Sequence, residues 1–490
     1  MVAQKLNKDR GDRGLVMLLF LPVILAVVGS AWVNLQLFQD GAFYLYQVVQ
    51  TQAVAIMHER FSAILVQAPI VLLLHLLPWD QVEDTAALMR FVFCLGYGLI
   101  PLLCLFLSWQ AVQGSTKRLL LWPWLIILFV NVVNFSWVSE ILMALQLACP
   151  LLLGVIAAPM GQANSNRQGR WVWPLTMGLS AVIFGLHPLT VLIFGAATVG
   201  LVTLSLLRKT KSEPKAVNRG LSQTNHRRFY WRMALFFGSV TIAKGMWAIA
   251  SLNAYEKRFL EAYQRNQYLF GASPEDRLFL LIGIVIGGLC LFAQLVHHRP
   301  KALSRLYGAC MGLAIAAACI LIAQYSQNPF FQLKTGLSIG AILLLFLMMF
   351  IDAALLHSRG PQHRQRQILD TRFRQRLMIT LSCIFLVIIL AKSLMWHTAV
   401  TQLRTVMIAS PTDCIERYSD EFDWLYRSPH QMLNHWSLPI LALLQGDRAT
   451  PTVIIAESCQ GYETQTIIDL YPWGKISKDN IRPPLFRLQQ

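Results

Sequence analysis

Residues 15–37 read LVMLLFLPVILAVVGSAWVNLQL and contain no charged side chain. A helix needs about 20 apolar residues to cross a bilayer, so this run predicts a membrane span. It is too long for the core of a signal peptide, and no obvious small-residue cleavage site follows it. We therefore interpret it as a retained first span, and similar runs along the chain predict an all-α polytopic membrane protein.

The composition supports this fold class. Of the 490 residues, 55% are hydrophobic and 14% are charged, whereas soluble proteins carry roughly 25% charged residues. We predict about 11 transmembrane helices. Besides 15–37, they are 88–109, 119–136, 139–160, 171–187, 189–207, 230–252, 278–297, 303–325, 333–356 and 377–397. A further run, 62–78, is at the lower limit of length.

The distribution of basic residues predicts the orientation. The net charge of +17 could suggest nucleic acid as a partner, but much of it lies in short segments between apolar runs. Lys and Arg near span ends stay on the cytoplasmic side, and from residue 110 onward every second loop is basic. The basic segments are 1–13, 117–118, 167–170, 208–228, 299–305 and 357–376. We predict a cytoplasmic N-terminus, an extracytoplasmic C-terminus, integration in the inner or plasma membrane, and no nucleic-acid partner.

The number of crossings before residue 117 must be even if both basic segments are cytoplasmic. We therefore predict that 62–78 does not cross fully and belongs to an outer loop module, 38–87. The alternative, that 41–58 also crosses, is costly because that segment is rich in Gln. Its apolar residues have helical spacing, which predicts an interfacial amphipathic helix or an ordinary loop helix.

The chain divides into a transmembrane domain, 1–397, and a small extracytoplasmic α/β domain, 398–490. In the second domain we predict a helix around 429–445 and a strand at 452–456. An oxidising compartment would allow Cys414 and Cys459 to form a disulfide, although sequence cannot show that their geometry permits it.

Several ionisable residues fall at membrane depth on the predicted outer side. Lys244 and Lys392 are in the outer halves of their spans, and His187 is in an outer hairpin. Such charges cost about 3 kcal/mol on insertion scales, so they usually face a cavity, a partner or a ligand. Snorkelling to the interface is the favoured interpretation for Arg90, Lys334 and Arg232. Together with Asp40 and Glu140, these cations predict an outer polar cavity for an anionic ligand.

The order of features in 38–160 resembles the GT-C superfamily of polyprenyl-phosphate-dependent glycosyltransferases. A first span is followed by Asp40, an amphipathic segment and the stretch SAILVQAP at 62–69. Then come a span that starts around Arg90-Phe91-Val92 and the sequence VSE at 138–140. The protein O-mannosyltransferases and the aminoarabinose transferases of lipid A are the branches that it is most similar to. The motifs are short and cover about a quarter of the chain.

The resemblance implies roles for two acidic residues. Asp40 matches the position thought to accept the proton of the acceptor hydroxyl, which is general-base chemistry. Glu140 matches the second outer acidic position, which orients the acceptor or the base. Neither position has a D-x-D motif. Leu142, two residues after Glu140, occupies the place where such a motif would have its second acidic residue. We therefore predict no cofactor and regard a divalent metal as doubtful.

The leaving group would be a lipid phosphate, so cations should line its site. The predicted substrate-binding residues are His58, Glu59, Arg60, His187, Lys244, Arg258, Arg265 and Lys392. Aromatic and basic residues alternate along 255–268, which suits sugar stacking and phosphate pairing. It suits equally an amphipathic helix lying on anionic headgroups.

The sequence thus predicts a membrane glycosyltransferase. Its partners would be the lipid bilayer, a polyprenyl-phosphate-linked sugar donor and a glycan, lipid or protein acceptor. One alternative is a secondary transporter or flippase, although such proteins usually place charges near the midplane and show repeated halves. Another is a non-catalytic component of an envelope-assembly complex that makes its contacts through the tail.

Overall fold

The structure is a computed structural model, and most of the described chain is helical. It describes residues 2–37, 40–56, 61–76, 85–112, 114–133, 139–161, 166–207, 217–251, 257, 335–358, 364–422, 437–445, 453–456, 458–460, 467–469 and 475–477. The predicted spans 278–297 and 303–325 lie outside these residues.

Twelve helices are described in this part of the chain. They are α1 (Val2–Trp32), α2 (Asp40–Thr51), α3 (Ile64–Leu76), α4 (Thr85–Ala111), α5 (Leu121–Val133), α6 (Glu140–Gly161), α7 (Asn166–Phe184), α8 (Thr190–Leu207), α9 (Val217–Ala250), α10 (Thr335–Ser358), α11 (Arg364–Ala409) and α12 (Leu438–Gln445). Short 3-10 turns at Leu35–Leu37 and Gly114–Leu120 precede α2 and α5.

Four helical stretches among the described residues are long and apolar enough to cross a membrane: Ala87–Ala111, Glu140–Pro159, His226–Ala250 and Met378–Ala409. Shorter apolar stretches occupy Val16–Trp32, Phe61–Leu76, Val172–Phe184, Thr190–Leu206 and Leu345–Ala354. The coarse prediction of a helical membrane protein therefore agrees with the structure, whereas the number of 11 crossings stays a prediction.

The helix ends separate into two groups that lie at opposite ends of the helical body. At one end, which we call the Glu140 end, α6 begins at Glu140 and α4 begins five residues before Arg90. At the other end, Arg118 contacts Asp352 near the C-terminus of α10. The residues before α5 and the last turns of α10 thus lie at the same end. The orientation of this end relative to the membrane stays a prediction.

The described residues after Ala409, which we call the C-terminal segment, pack on the Glu140 end and share a hydrophobic core with it. This core contains apolar residues of α2, α4, α11 and α12 together with Cys414, Ile415 and Val453–Ala456. Strand β1 (Cys414–Glu416) pairs in parallel with β2 (Ile454–Ala456). Strands β3 (Ile467–Asp469) and β4 (Lys475–Ser477) form an antiparallel pair. The predicted strand at 452–456 overlaps β2. Of the helix predicted around 429–445, α12 forms 438–445, and residues 429–436 lie outside the described part of the chain.

Two boundaries and the surroundings of one helix differ from the sequence predictions. The amphipathic segment 41–58 is helical only as far as Thr51, because Gln52 adopts a left-handed φ of 51°. Its apolar face is buried in protein against α12 and α3 rather than lying on headgroups. The proposed domain boundary at 397 falls inside α11, which continues to Ala409 because Leu403 and Met407 extend its buried face.

Candidate functional site

Glu140 is held at the start of α6 by a tyrosine from α2. The phenol of Tyr44 donates a hydrogen bond to Oε1 of Glu140, and both residues are buried. The carboxylate is also the first residue of its helix, where the positive end of the helix dipole favours negative charge. Helix α2 is thereby fixed against the first turn of α6.

Asp40 is the first residue of α2, one helical turn before Tyr44. Residues four apart lie on the same face of a helix. The Tyr44–Glu140 hydrogen bond therefore brings the helix that begins with Asp40 next to Glu140. The side chain of Asp40 is outside the described residues, so its role as a base stays a prediction.

The turn between α1 and α2 depends on a residue that tolerates the left-handed region. Asn34 has φ of 57° and its N–H donates to the carbonyl of Ala31, which ends α1. Asn is among the side chains that adopt this conformation most readily. The turn lies against α4, and Nε2 of Gln36 donates back to Oγ of Ser30 in α1 at 2.9 Å.

A cavity lies beside this turn and next to the first turns of α6. It is partly open, and its free volume of about 30 Å³ is enough for roughly one or two water molecules. The described residues that line it have both polar and apolar side chains. The lining residues are Gln36, Tyr97, Gly98, Ile100, Val130, Asn131, Ser139, Leu142, Met143 and Gln146.

Two amide oxygens in the lining are buried without a hydrogen-bond donor among the described residues. They are Oε1 of Gln36 and Oε1 of Gln146, and the two side chains are 2% and 7% exposed. Leaving a buried polar group unsatisfied costs about 1–3 kcal/mol. In the described structure these two oxygens are therefore acceptors available to a ligand or to water.

Arg90 connects the helical body to the C-terminal segment. Its Nη1 donates to the carbonyl of Leu444 in the last turn of α12, and the side chain is buried. The guanidinium thus donates to a carbonyl at a helix C-terminus, where cations are favoured. The prediction that Arg90 snorkels to the interface is therefore wrong. Arg404 adds a second link to α12 through Nε and Oε1 of Gln445, 3.2 Å apart.

Lys244 and His187 take part in contacts between helix ends. Nζ of Lys244 donates to the carbonyl of Phe184 at 2.6 Å and lies 4.8 Å from the centre of its ring. Nδ1 of His187 accepts a hydrogen bond from the N–H of Leu189 at 3.1 Å, at the start of α8. The first contact joins α9 to the end of α7, and the second lies in the turn between α7 and α8. The role of both residues in substrate binding stays a prediction.

Lys392 is buried in α11 one turn before Trp396. Nε1 of Trp396 donates to the carbonyl of Val33 at 2.9 Å, which joins α11 to the turn that precedes α2. Lys392 thus lies one helical turn from the tryptophan that joins α11 to the turn between α1 and α2. Its role in binding phosphate stays a prediction.

Five predicted substrate-binding residues lie outside the described residues: His58, Glu59, Arg60, Arg258 and Arg265. The described part of the chain contains no cluster of three His, Cys, Asp or Glu side chains that could hold a metal ion. The sequence-based view that a divalent metal is doubtful therefore stays a prediction.

The C-terminal segment is closed by a disulfide between Cys414 and Cys459. The bridge joins β1 to the residues that follow β2, and Oε1 of Glu416 accepts a hydrogen bond from the N–H of Cys459 at 3.1 Å. The sequence allowed this pairing, and the structure contains it.

Sequence reasoning missed Tyr44, Gln36 and Gln146. Tyr44 is one of several aromatic residues in an amphipathic helix, and neither glutamine carries a charge that marks it at membrane depth. Their polarity was the available signal, because Gln146 lies within the apolar run 139–160 and Gln36 lies near the end of the apolar run 15–37.

No protein-family model, no curated protein and no solved structure matches this chain.

Proposed function

We propose that this protein is an integral membrane glycosyltransferase that transfers a sugar from a polyprenyl phosphate to an acceptor hydroxyl at the outer face. The observation that supports it best is the Tyr44–Glu140 hydrogen bond, which fixes α2, the helix that begins with Asp40, beside Glu140. Both acidic positions implied by the GT-C resemblance then belong to one region at one end of the helical body.

In this proposal the Glu140 end faces the extracytoplasmic side, and the basic segments at the opposite end face the cytoplasm. The chain crosses an inner or plasma membrane about eleven times, and 398–490 lies outside. A disulfide in the C-terminal segment suits this orientation, because disulfides persist in oxidising compartments.

The proposed chemistry uses two carboxylates in different roles. Asp40 accepts the proton of the acceptor hydroxyl as its oxygen attacks the anomeric carbon, and the polyprenyl phosphate leaves from the opposite side. Glu140, held by Tyr44, orients the acceptor or the base. Lys392 and the other predicted cations stabilise the negative charge that develops on the leaving phosphate.

The test compares envelope products in cells that lack the chain and cells that express it. Mass spectrometry of glycans, lipids and proteins first identifies the product that depends on the chain. We expect Asp40→Asn to reduce that product about 10²–10⁴-fold, the usual contribution of a general base. Asp420→Asn, an exposed carboxylate in the C-terminal segment, is the matched control and should leave the product unchanged.

Two results would overturn the proposal. An unchanged product with Asp40→Asn at normal expression would remove the catalytic assignment. If, in addition, deletion of 410–490 abolished the product, a non-catalytic role in an assembly complex would be favoured. Transport of an unmodified substrate across vesicles by the purified protein would favour a transporter.

A further inference from the structure

One face of α9 carries two exposed arginines followed by a stripe of exposed aliphatic residues. Arg228 and Arg232 are four residues apart, so they lie on the same side of the helix. At 3.6 residues per turn, this side continues through Leu235, Ile242, Met246 and Ile249. These four side chains are 67%, 65%, 63% and 74% exposed. The face therefore presents positive charge at one end and apolar surface along the rest.

Contacts on the opposite side of α9 fix this face outward. Near the start of the helix, the hydroxyl of Tyr230 donates to the carbonyl of Ile156 in α6 at 3.0 Å. Further along, the ring of Phe237 stacks on Phe194 of α8, with 6.2 Å between the ring centres. Near the end, Nζ of Lys244 donates to a carbonyl at the end of α7. These three residues of α9 recur at intervals of two turns and share one side, so the arginines point away from α6, α7 and α8.

The arginines lie at the level expected for lipid headgroups. The stretch His226–Ala250 is long and apolar enough to cross a membrane. Between Met233 and Ala250 the sequence contains one charged residue, Lys244, and this part rises about 27 Å in a helix. The hydrocarbon core of a bilayer is about 30 Å thick. Arg232 therefore lies at the edge of the core, and Arg228 lies one turn further into the headgroup layer.

Trp231 lies between the two arginines in the chain and supports the same level. Its side chain is 37% exposed, and three residues from Arg228 it is on the same side of the helix. Tryptophan is enriched at membrane–water interfaces, where its amphipathic ring lies at the headgroup level. We call Arg228, Trp231 and Arg232 together the α9 lipid site.

Two guanidinium groups at this spacing are suited to one phosphate. Like charges four residues apart on a helix repel each other. A phosphate between them removes this repulsion and accepts charge-assisted hydrogen bonds from both groups. We propose that the α9 lipid site binds the phosphate of an anionic phospholipid. One acyl chain of this lipid packs on Leu235 and Ile242.

The α9 lipid site lies far from the proposed catalytic residues. Ile156, which Tyr230 contacts, is about 24 Å along α6 from Glu140. The site is therefore at the end of the helical body opposite to the Glu140 end. In the proposed orientation this end faces the cytoplasmic leaflet, whose anionic lipids attract basic residues next to a span. The inference itself rests on the charge, exposure and length of α9 and not on the proposed transferase activity.

A second copy of the chain is a poorer occupant of this face. Two copies inserted in the same direction are related by an axis perpendicular to the membrane. That axis places the arginines of both copies at the same level, so the guanidinium groups would face one another. Like charges brought together in this way oppose the contact. An anionic lipid supplies the opposite charge together with an apolar chain.

Quenching of Trp231 fluorescence by brominated lipid tests the proposal. The purified full-length protein is reconstituted in phosphatidylcholine vesicles that contain an equal small fraction of brominated phosphatidylglycerol or brominated phosphatidylcholine. The chain has 14 tryptophans, so each protein is compared with the same protein carrying Trp231→Phe. We expect the anionic lipid to associate with Trp231 more strongly than the neutral one, by about fivefold for each arginine. The preference should decrease as the salt concentration rises.

Removing the arginines should remove the preference without unfolding the protein. Arg228→Gln should lower it about fivefold, and Arg228→Gln with Arg232→Gln should make the two lipids equal. Because both side chains are exposed, Tm in phosphatidylcholine should stay unchanged. Arg227→Gln is the matched control, since it removes an exposed arginine about 100° around the helix from Arg228. It should retain most of the preference.

Three results would overturn the proposal. Equal quenching of wild-type Trp231 by the two lipids would show that the face is not selective. No quenching by either lipid would show that protein covers the face. A loss with Arg227→Gln as large as with Arg228→Gln would show a diffuse effect of surface charge instead of a site. None of these results depends on the product measured with Asp40→Asn, so failure of the lipid site and failure of the proposed function are separate outcomes.

Discussion

Tyr44 and Glu140, which are 96 residues apart in the chain, are joined by a hydrogen bond from the phenol to the carboxylate. Through this bond the outer helix α2 is attached to the first residue of α6. A charged acceptor makes such a bond stronger than a neutral pair. We infer that it fixes the position of α2, and with it the backbone position of Asp40.

Replacing Tyr44 by Phe removes this donor while keeping the ring. Because Glu140 is buried, its carboxylate would lose a partner, and we expect a destabilisation of about 1–3 kcal/mol. The product that depends on the chain should decrease more than the amount of folded protein does. Thermal unfolding of the purified protein and product yield normalised to expression measure the two effects.

Tyr46, two residues further along α2, is the matched control. It is also buried, and its burial raises the pKa of the phenol, so that it stays neutral. Tyr46→Phe should leave product yield per folded molecule unchanged. Equal losses in the two variants would show that α2 tolerates no change of a phenol, and the specific role of Tyr44 would be refuted.

The bond from Arg90 to Leu444 predicts that α4 holds the C-terminal segment in place. Arg90→Met should leave the carbonyl at the end of α12 unpaired and release this segment, since hydrogen bonds to charged groups contribute about 1.5–3 kcal/mol. Faster cleavage of the C-terminal segment in limited proteolysis is the expected result. Arg232→Gln, at an exposed position of α9, should not alter the cleavage rate. Equal rates for wild type and Arg90→Met would contradict the link.

The helices that the sequence predicts best are those marked by long apolar runs. The run 139–160 corresponds to α6 (Glu140–Gly161), and 189–207 corresponds to α8 (Thr190–Leu207). Apolar periodicity is a local property, so it determines where such helices lie along the chain. Helix α11 continues past the predicted span end at 397 because its buried face between 398 and 409 contacts the distant C-terminal segment, which no local pattern reveals.

The candidate site was predictable only in part for the same reason. Asp40 and Glu140 can be selected from the sequence because each is an acidic residue at the end of a predicted span, where a charge usually has a partner or a function. The partners Tyr44 and Leu444 are fixed by contacts across 96 and 354 residues, and such contacts leave no trace in a single sequence. Lys244 stands out in an apolar run, but its contact with the carbonyl of Phe184, 60 residues away in the chain, could not be predicted from the sequence.

The disulfide predicts that the C-terminal segment depends on the redox state. Cys459→Ala, or reduction of the wild type, should destabilise this segment by about 2–4 kcal/mol, the typical effect of removing such a bridge. Protease resistance of the segment with and without reductant measures the change. Cys383→Ala, at an exposed position of α11, should retain the response to reductant. A wild-type segment that resists protease equally in both conditions would contradict this prediction.

At the opposite end of the helical body, Asp352 joins α10 to the turn before α5. Its Oδ1 is 2.9 Å from Nη2 of Arg118, and its Oδ2 accepts from Nε1 of Trp122 at 3.1 Å. Because Asp352 is buried and Arg118 is partly exposed, removing one partner should cost about 1.5–3 kcal/mol, as for a hydrogen bond to a charged group. We therefore expect Asp352→Asn to lower Tm strongly while the product yield per folded molecule stays unchanged.

A double-mutant cycle tests whether the Arg118–Asp352 pair itself is responsible. Arg118→Gln and Asp352→Asn should each destabilise the protein, and the double variant should be less unstable than the sum of the two, since neither charge is then left alone. Trp122→Phe removes only the indole donor and should cost about 1 kcal/mol. Additive single effects would show that the two side chains act independently. A selective loss of product in Asp352→Asn would instead place part of the chemistry at this end, against the proposed outer site.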